Sequence, residues 1–431
     1  MPGDAALKRE GAILVGVCRG PQSRAELDEH LEELGQLAET AGATLAGRVV
    51  QDRGRFAPAT LIRLGKVEEV RAMAERSGAR LAVFDEDLSP AQVKNLEAAL
   101  PMRVVDRSTL ILDIFVRRAR SREAHTQVEL ARLRYLLPRL TRQWGHLSRQ
   151  DGGIGQRGIG ETQLELDRRV IRRKIASLSD DLRRIEKERS ERRKGRRSER
   201  RVALVGYTNA GKSTILNLLT QAGALVEDRL FATLDPLVRR CERGGRPPFL
   251  VIDTVGFIRK LPHHLVASFR STLEEAVDAN LLLHVVDASS PAVEDHLKTT
   301  RDTLADLGLA DNPRLLVFNK IDRVSAAVLE RLHQDHPGAI FISAIDATQV
   351  DHLEERVRSA LGDLVVEQTV SIPLTEPGTL AKLCAMVRVI HSAVVDGNFE
   401  VRFQTRPTER DRVSRLLRHL MPDLQAGTGK A

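Results

Sequence analysis

The stretch Gly206-Tyr207-Thr208-Asn209-Ala210-Gly211-Lys212-Ser213 has the spacing G-x-x-x-x-G-K-S. An apolar, strand-like run from Val202 to Gly206 leads into it, and a helical run that begins at Thr214 follows it. In such a strand, loop and helix, glycines let backbone N–H groups turn inward around phosphate oxygens, and the helix N-terminus adds positive potential. The stretch therefore predicts a phosphate-binding loop, with Lys212 on the β- and γ-phosphates and Ser213 as a ligand of Mg²⁺.

A second apolar run, Phe249 to Gly256, ends in the motif D-x-x-G. At the end of such a strand, Asp253 can hold Mg²⁺ through water, and the N–H of Gly256 can sense a γ-phosphate. These residues predict that the loop distinguishes a nucleoside triphosphate from a diphosphate.

The loop before this run contains Phe231-Ala232-Thr233-Leu234-Asp235-Pro236. Thr233 is predicted to add a second hydroxyl to Mg²⁺ when a γ-phosphate is present. Thr208 and Thr220 are alternatives, but neither lies in the middle of the loop. The predicted metal ligands are therefore Ser213 and Thr233.

A third apolar run, Leu315 to Asp322, ends in the motif N-K-x-D. The carboxylate of Asp322 can accept hydrogen bonds from N1–H and the exocyclic amine of guanine, which adenine does not supply. Because an unpaired carboxylate is costly, this pattern predicts selectivity for guanine over adenine. A further strand, 339–343, would place the N–H of Ala344 against guanine O6.

Each motif by itself can also end a strand for reasons of turn geometry. Their order, and their position at the ends of apolar runs that alternate with helical ones, favour one guanine nucleotide site at the edge of an open α/β sheet. The predicted catalytic residues are Lys212, Thr233 and Gly256. The predicted nucleotide contacts are Gly206, Tyr207, Thr208, Asn209, Ala210, Gly211, Lys212, Ser213, Thr214, Phe231, Ala232, Thr233, Leu234, Asp253, Thr254, Val255, Gly256, Asn319, Lys320, Ile321, Asp322, Ser343 and Ala344.

Strand-like and helical runs also alternate before the phosphate loop and after the last of the nucleotide motifs. Strands are predicted at 12–17, 44–50, 81–84 and 102–105, and helices near 24–41, 65–77 and 90–100, the last opened by Ser89 and Pro90. This alternation is typical of a small, mainly parallel α/β domain. Near the C-terminus the pattern predicts a strand at 369–373, a helix at 378–392, a strand at 399–405 and a helix at 407–420.

The middle of the chain has the apolar spacing of a coiled coil. Apolar residues recur at steps of three and four at Leu130, Leu133, Leu137, Leu140, Trp144 and Leu147, and again at Ile171, Ile175, Leu178, Leu182 and Ile185. Two such seams with an interruption between them predict an antiparallel helical hairpin, in which Pro138 kinks or breaks the first helix.

The glycine-rich segment Gly152 to Gly160 contains G-x-G-x-x-G, which also occurs in dinucleotide-binding turns. That turn requires a preceding strand, and residues 144–151 do not form a strand pattern. We therefore interpret the segment as a flexible tip of the hairpin. The charged run 183–201 after the hairpin fits a solvated helix better than a polyanion contact.

Composition sets broad limits on the function. The chain has 431 residues and a net charge of +8, which suits about two to four domains and is compatible with a polyanionic partner. Cys18, Cys241 and Cys384 are far apart and predict neither a disulfide framework nor a zinc site, which fits a reducing cytoplasm. The N-terminus lacks the form of a signal peptide, and no apolar run is long enough to span a bilayer.

The chain resembles the HflX family of translation-factor-related GTPases. The residues that carry the resemblance are 110–115, 127–130, 135–140, 152–163, the four nucleotide motifs and 231–236. The resemblance implies an α/β protein with four parts: an N-terminal α/β domain (residues 1–120), a coiled-coil hairpin with a glycine-rich tip (121–198), a Ras-like P-loop GTPase domain (199–364) and a small C-terminal α/β domain (365–431).

The resemblance also implies a function. It suggests a monomeric, cytoplasmic GTPase that binds the large ribosomal subunit and uses GTP, GDP and Mg²⁺ to dissociate or rescue stalled ribosomes. The hairpin tip is then expected to meet rRNA in the peptidyl-transferase region through Gly155, Arg157, Gly158 and Gly160, with the arginine on a phosphate or stacked on a base.

Two positions bear on hydrolysis. Ras-like enzymes often place a water-orienting Gln directly after D-x-x-G, but this chain has Phe257, as the family does. This implies slow turnover by the free protein and completion of the site by a partner. Asn209 occupies a position that helps hold K⁺ in related GTPases. An equally good interpretation is that Asn209 only shapes the loop.

Two other functions remain open. One is an ATP-dependent RNA remodeller, which would require adenine selectivity despite Asp322 and a phosphate loop that residues 1–120 do not contain. The other is a signalling GTPase that uses its hairpin for protein partners alone. Competition between GTP and ATP tests the first, and salt-dependent binding to ribosomal subunits tests the second.

Overall fold

The structure, a computed structural model, describes most of the chain. The described residues are 10–18, 23–52, 56–140, 157–194, 199–220, 223, 229–243, 246–260, 277–362, 366–395, 397–405, 412–413 and 415–417. Tertiary contacts divide the chain into two compact units, Met1–Cys241 with Phe249–Ile345 and Glu242–Pro248 with Asp346–Ala431.

The first unit begins with a parallel four-stranded sheet. Its elements are β1 (Gly11–Val17), α1 (Arg24–Thr40), β2 (Thr44–Gln51), α2 (Leu64–Ser77), β3 (Leu81–Phe84), α3 (Pro90–Ala99), β4 (Arg103–Asp106) and α4 (Arg107–Arg118). The strands lie in the order β2-β1-β3-β4 and all pairs are parallel. The predicted alternation is confirmed, except that α4 was not predicted. Its apolar run 110–115 has almost no polar interruption, so it carries no helical period.

Side-chain caps set where these helices begin. Ser23 accepts from the N–H of Glu26 at 3.1 Å while the Glu26 carboxylate accepts from the N–H of Ser23 at 2.8 Å. The same reciprocal pair caps α3 at Ser89, and Pro90 is its first residue. Because such caps satisfy backbone donors that a helix leaves unpaired, they fix the ends of α1 and α3 against the sheet.

Strand β1 separates two apolar cores. Leu14 belongs to the core that contains Leu31 and Phe115, from α1 and α4. Its neighbour Ile13 belongs to the opposite core with Val70 and Leu96, from α2 and α3. This alternation follows from the period of two in a strand, and it gives a sheet covered by helices on both faces.

Two helices follow the sheet. Helix α5 (Arg122–Leu136) packs against α6 (Arg157–Lys194), and Lys174 forms an ion pair with Glu129 between them. Helix α5 ends just before Pro138, as predicted. The flexible-tip interpretation is wrong for residues 157–160, because Arg157, Gly158 and Gly160 lie in the first turn of α6. Gly155 and the rest of 141–156 lie outside the described residues.

The second sheet of the first unit has six strands. Its elements are β5 (Arg200–Gly206), α7 (Lys212–Thr220), β6 (Leu237–Cys241), β7 (Phe249–Asp253), β8 (Leu281–Asp287), α8 (Val293–Asp306), β9 (Arg314–Asn319), a 3₁₀ turn at Ile321–Arg323, α9 (Ala326–Asp335) and β10 (Ile340–Phe341). The order is β10-β9-β8-β5-β7-β6, with only β6 antiparallel to its neighbour. The predicted strands are confirmed, although β10 is shorter than the 339–343 prediction. Their carboxyl ends bring the nucleotide motifs to one edge.

The second unit is mixed α/β. It contains α10 (Val350–Ala360) and an antiparallel sheet, β11-β13-β12, made of β11 (Val366–Pro373), β12 (Arg388–Val395) and β13 (Asn398–Thr405), with α11 (Pro377–Met386) between the first two strands. The predicted helix over 378–392 is too long, because the chain turns extended at Val387 and continues as β12. Val389 pairs with Phe403 there, so strand pairing overrides the local helical pattern.

Two features are absent from the described residues. None of their helices combines the length and apolar character needed to cross a bilayer. None of their His, Cys, Asp and Glu side chains form a cluster of three or more that could hold a metal ion. Cys18, Cys241 and Cys384, which are all described, form no disulfide bond with one another.

The two-sided packing of β1 predicts a large cost for truncating Leu14, which is fully buried. We expect Leu14→Ala to lower the free energy of unfolding by about 2–5 kcal/mol, because it removes buried methyl groups and leaves a cavity. Thermal unfolding of the full chain, followed by circular dichroism, measures the change. Leu64→Ala is the control, since Leu64 is 76% exposed. Equal shifts for the two variants would contradict this packing.

Candidate nucleotide-binding site

The loop between β5 and α7 requires glycine at two positions. Gly206 and Gly211 have φ angles of 147° and 93°, a region that side chains with a Cβ rarely adopt. A Cβ on Gly206 would lie 2.1 Å from the Val285 carbonyl oxygen, and one on Gly211 would lie 2.1 Å from Asn319 Nδ2. Asn209 also lies in the left-handed region, with φ of 60°. The glycines therefore let the loop approach β8 and the N-K-x-D segment closely.

Lys212 is buried at the start of α7. Its Nζ donates to the carbonyl oxygens of Tyr207 at 2.8 Å and Gly206 at 3.1 Å, so the side chain curls back over the loop. Burial lowers the pKa of Lys212 to about 8, and the nearby Asp253 carboxylate opposes that shift. An ammonium group held in this way is placed to meet an anion that enters the loop.

Three side chains from separate elements meet beside Lys212. Ser213 Oγ donates to Asp253 Oδ2 at 2.6 Å, Thr233 Oγ1 donates to the same oxygen at 3.0 Å, and the two hydroxyls are 2.9 Å apart. The structure thus brings both predicted metal ligands and the D-x-x-G aspartate to one point. We call Ser213, Thr233 and Asp253 the hydroxyl–carboxylate cluster.

The cluster suits a divalent cation. Asp253 is 1% exposed, and its Oδ1 has no hydrogen-bond partner of normal geometry among the residues that the structure describes. Burial raises the pKa of Asp253, while Lys212 and the two hydroxyls lower it. Two hydroxyls and a carboxylate are hard oxygen donors of the kind that Mg²⁺ prefers, so the donor set fits that ion.

Gly256 and Phe257 follow strand β7 and lie beside the phosphate loop. A Cβ on Gly256 would lie 2.7 Å from Thr208 Cα and 3.0 Å from Lys212 Nζ, so this residue directly faces the loop. Phe257 N–H donates to the Gly206 carbonyl at 3.0 Å, and Thr208 N–H donates to the Phe257 carbonyl at 2.7 Å. The Phe257 ring is 2% exposed and packs in an apolar core. It therefore cannot orient water.

The N-K-x-D residues tie the predicted base site to the phosphate loop. Asn319 Nδ2 donates to the Ala210 carbonyl at 2.9 Å, and its Oδ1 accepts from the N–H of Ala344 at 2.9 Å. Lys320 Nζ donates to the Asn209 carbonyl at 2.8 Å. Asp322, which accepts from the Ser343 hydroxyl, remains exposed. These hydrogen bonds join the N-K-x-D segment to the phosphate loop, and the Asp322 carboxylate stays accessible to a base.

Several residues predicted to contact the nucleotide direct their side chains away from the site. The side chains of Phe231, Leu234 and Val255 lie in an apolar core with residues of α1 and α4, so only their backbone is available to a nucleotide. Thr254 Oγ1 donates to the Leu204 carbonyl at 2.7 Å, which fixes the strand. The residues Arg157, Gly158 and Gly160 belong to α6 and are not part of this site.

The sequence motifs did not identify two other residues at the site. Arg229 is exposed and lines the cavity formed by the phosphate loop, Thr233 and Gly256. The only signal was a basic residue two positions before the Phe231–Pro236 motif. Asp287, at the end of β8, forms an ion pair with Lys320 at 2.7 Å. No motif covers Asp287, so only the fold reveals its position.

The N-terminal sheet contributes a charged contact to the same site. Tyr207, in the phosphate loop, donates its hydroxyl to Glu33 of α1 and accepts from the N–H of Arg259 at 2.9 Å. Lys260, four residues after Gly256, pairs with Asp85 at 2.5 Å and Glu86 at 2.7 Å. The loop that follows D-x-x-G is therefore bound to the N-terminal part of the same unit.

Three family models match consecutive parts of the chain. A model described as GTP-binding GTPase N-terminal matches residues 28–116, and a model described as GTP-binding GTPase Middle Region matches residues 118–196. A model described as 50S ribosome-binding GTPase matches residues 201–320. Together these matches cover β2 to β4 of the N-terminal sheet, the helices α5 and α6, and the nucleotide motifs as far as Lys320.

Characterised relatives match over most of their length. A GTPase HflX of Caldanaerobacter subterraneus is 46% identical over 360 residues, which is 83% of this chain and 82% of the relative. The GTPase HflX of Escherichia coli is 40% identical over 382 residues, 88% and 89% of the two chains. Among solved structures, a GTP-binding protein from Sulfolobus solfataricus in complex with GDP is similar at 24% identity, with a TM-score of 0.43, over 82% of this chain and 99% of that one.

Base selectivity should depend on Asp322. We expect Asp322→Asn to weaken GTP binding by roughly 10- to 100-fold. The amide is uncharged, and its single oxygen cannot replace the two carboxylate oxygens that accept from the N1–H and the exocyclic amine of guanine. Xanthosine triphosphate should gain affinity, since its carbonyl accepts from the new amide. Titration calorimetry at fixed Mg²⁺ and salt measures both. Asp311→Asn is the matched control, an exposed aspartate before β9. Unchanged GTP affinity in Asp322→Asn would refute this assignment.

Proposed function

The chain belongs to the HflX family of GTPases, and from that premise we propose that it binds the large ribosomal subunit and couples GTP binding and hydrolysis to the dissociation or rescue of stalled ribosomes. The observation that carries the proposal is the match of residues 201–320 to a model described as 50S ribosome-binding GTPase. The arginine-rich helix α6 supports it, because phosphate contacts from Lys and Arg supply most of the affinity for nucleic acid.

Binding of the triphosphate would use the residues that the fold brings together. Lys212 and the backbone N–H groups of 208–213 would hold the β- and γ-phosphates, and Asp322 and Ala344 would hold guanine. Ser213 and Thr233 would ligate Mg²⁺, with Asp253 holding it through water. Bound Mg²⁺ would neutralise charge on the β- and γ-oxygens during phosphoryl transfer.

Hydrolysis by the free protein is expected to be slow. Phe257 occupies the position of the usual water-orienting glutamine, and its ring is buried. Because phosphoryl transfer depends on positioning and on electrostatic stabilisation, a missing water-orienting group lowers the rate directly. We assign the completion of the catalytic site to the ribosome, which would order the loops that carry Thr233 and Gly256.

The helices α5 and α6 would contact the ribosome at a distance from the nucleotide site. Exposed basic side chains such as Arg169, Arg172 and Arg173 lie along α6. A solvated helix would also expose them, so the charge alone does not identify RNA as the partner. Arg157, at the start of α6, is the residue proposed to meet rRNA, together with Gly155, Gly158 and Gly160. We further place the protein in the cytoplasm as a monomer, and K⁺ at Asn209 stays a prediction.

Two rival functions make different predictions. An ATP-dependent RNA remodeller requires adenine selectivity, which the exposed carboxylate of Asp322 does not favour. A signalling GTPase with protein partners alone would bind ribosomal subunits weakly and without the steep salt dependence of phosphate contacts. The ribosome-associated function is preferred because it uses both the guanine motifs and the basic helix.

Turnover in the presence of separated subunits tests the proposal. We expect large subunits and intact ribosomes to accelerate GTP hydrolysis by at least about 10-fold, since a positioned general catalytic group contributes that much or more, and small subunits to have little effect. ATP hydrolysis should stay at background in every mixture. Phosphate release measured with GTP and with ATP provides the comparison. Equal GTP turnover with and without large subunits would overturn the proposal.

The same assay has a control within α6. Arg157→Ala should reduce the acceleration by large subunits and leave the affinity for GTP unchanged. Arg173→Ala, which removes an exposed arginine from the same helix, should reduce the acceleration much less. If both variants lose the same fraction of the acceleration, α6 attracts the ribosome through its general positive charge and Arg157 makes no specific contact.

A further inference from the structure

Asp235 lies two residues after Thr233 and binds the start of helix α5. Its Oδ2 accepts from the backbone N–H groups of Arg120 and Ser121, each at 3.2 Å, and its Oδ1 accepts from the Ser121 hydroxyl. Ser121 is itself the N-cap of α5 and accepts from the N–H of Ala124 at 3.0 Å. A carboxylate at this end of a helix is favoured by the helix dipole and by donors that have no partner within the helix.

Phe231 fastens the same loop two residues before Thr233. Its ring is 2% exposed and packs edge-on against Phe115 of α4, with ring centroids 4.6 Å apart and planes at 77°. Its φ is +56°, a left-handed conformation that is strained for a bulky side chain. Such strain persists only when the surroundings enforce it. Burial of the ring against α4 supplies that enforcement.

Thr233 therefore sits between two fixed points. Phe231 is anchored to α4 and Asp235 is anchored to the start of α5, while Thr233 Oγ1 reaches Ser213 and Asp253 at 2.9 and 3.0 Å. The contacted helices, α4 and α5, lie in the N-terminal part of the first unit, outside the six-stranded sheet.

We propose that Asp235 is a positioning residue that, by capping α5, holds Thr233 in place as a ligand of Mg²⁺ and links the nucleotide site to the base of the two packed helices. The proposal deepens the proposed function and rests only on its GTPase part. Coupling of this kind is reciprocal: whatever displaces the start of α5 must weaken the Thr233 contact, and the ligation of Thr233 must stabilise that start.

A purely structural cap makes a different prediction. Loss of an ordinary N-cap lowers stability but does not change how a remote site distinguishes ligands. If Asp235 positions Thr233, its loss should affect the triphosphate complex with Mg²⁺ and spare the diphosphate complex, because the switch threonine contacts the metal only when a γ-phosphate is present.

The test uses Asp235→Ala and Asp235→Asn in the full chain, without ribosomes. We expect either variant to raise the Mg²⁺ concentration for half-maximal turnover and to lower kcat by about 10-fold, within the range of typical coupling between sites. Affinity for GDP should change less than about 2-fold, below the usual range of such coupling. Ser121→Ala, which removes a partner on α5, should reproduce part of the effect.

The matched control is Ser89→Ala, which removes the N-cap of α3, the counterpart of Ser121 in α5. It should lower the melting temperature as much as the Asp235 variants but leave kcat and the Mg²⁺ requirement unchanged. Thr233→Ala supplies a second background, in which Asp235→Ala should have no further effect on turnover, since the two residues act in series. If Asp235→Ala does not fold, Asp235→Asn decides the result.

The proposal would be overturned by equal effects on GTP and GDP, by an unchanged Mg²⁺ requirement, or by additive losses in the Thr233→Ala background. These outcomes differ from a failure of the proposed function. If large subunits fail to accelerate the unmodified protein while the Asp235 variants behave as expected, ribosome coupling is wrong and the positioning role stands.

Discussion

The buried carboxylate of Asp253 is the constraint on which the nucleotide site depends. It lies at the end of a fully buried strand, and a desolvated charge is costly unless donors or cations surround it. Ser213 and Thr233 donate to one oxygen, and Lys212 compensates the charge from beside the loop. Because Lys212 and Ser213 begin α7, Thr233 lies in the loop before β6 and Asp253 ends β7, satisfying one carboxylate draws three segments together.

The same reasoning explains why the N-terminal part of the chain packs on the site. Arg107 is 2% exposed and pairs with Asp85 at 2.9 Å and with Glu33, while Glu33 also binds the Tyr207 hydroxyl. Burial and the Glu33 carboxylate raise the pKa of Tyr207, which keeps it a hydrogen-bond donor. Removing one member of such a buried network leaves an uncompensated charge, so these contacts favour a single arrangement of the phosphate loop.

Much of this arrangement was predictable, because the nucleotide motifs lie at strand ends and a parallel sheet brings such ends together. The strands at 202, 249 and 315 were marked by continuous apolar runs, and the helices over 24–41 and 65–77 by an amphipathic helical pattern. Helix α4 carried no such pattern, since its apolar run 110–115 is interrupted only by Asp113, and the start of β12 lies in a predicted helix because only pairing with β13 makes it a strand. The role of Asp235 was also invisible, because its partner Ser121 is 114 residues away.

We expect Thr233 and Ser213 to close around one metal ion under the control of Asp253. A crystal structure with Mg²⁺ and a non-hydrolysable GTP analogue tests it most directly. Both hydroxyl oxygens should lie within about 2.0–2.1 Å of the ion, the distance typical of Mg²⁺, and Asp253 should hold the ion through a water molecule. An ordered Mg²⁺ and triphosphate with Thr233 Oγ1 outside the coordination sphere would contradict it.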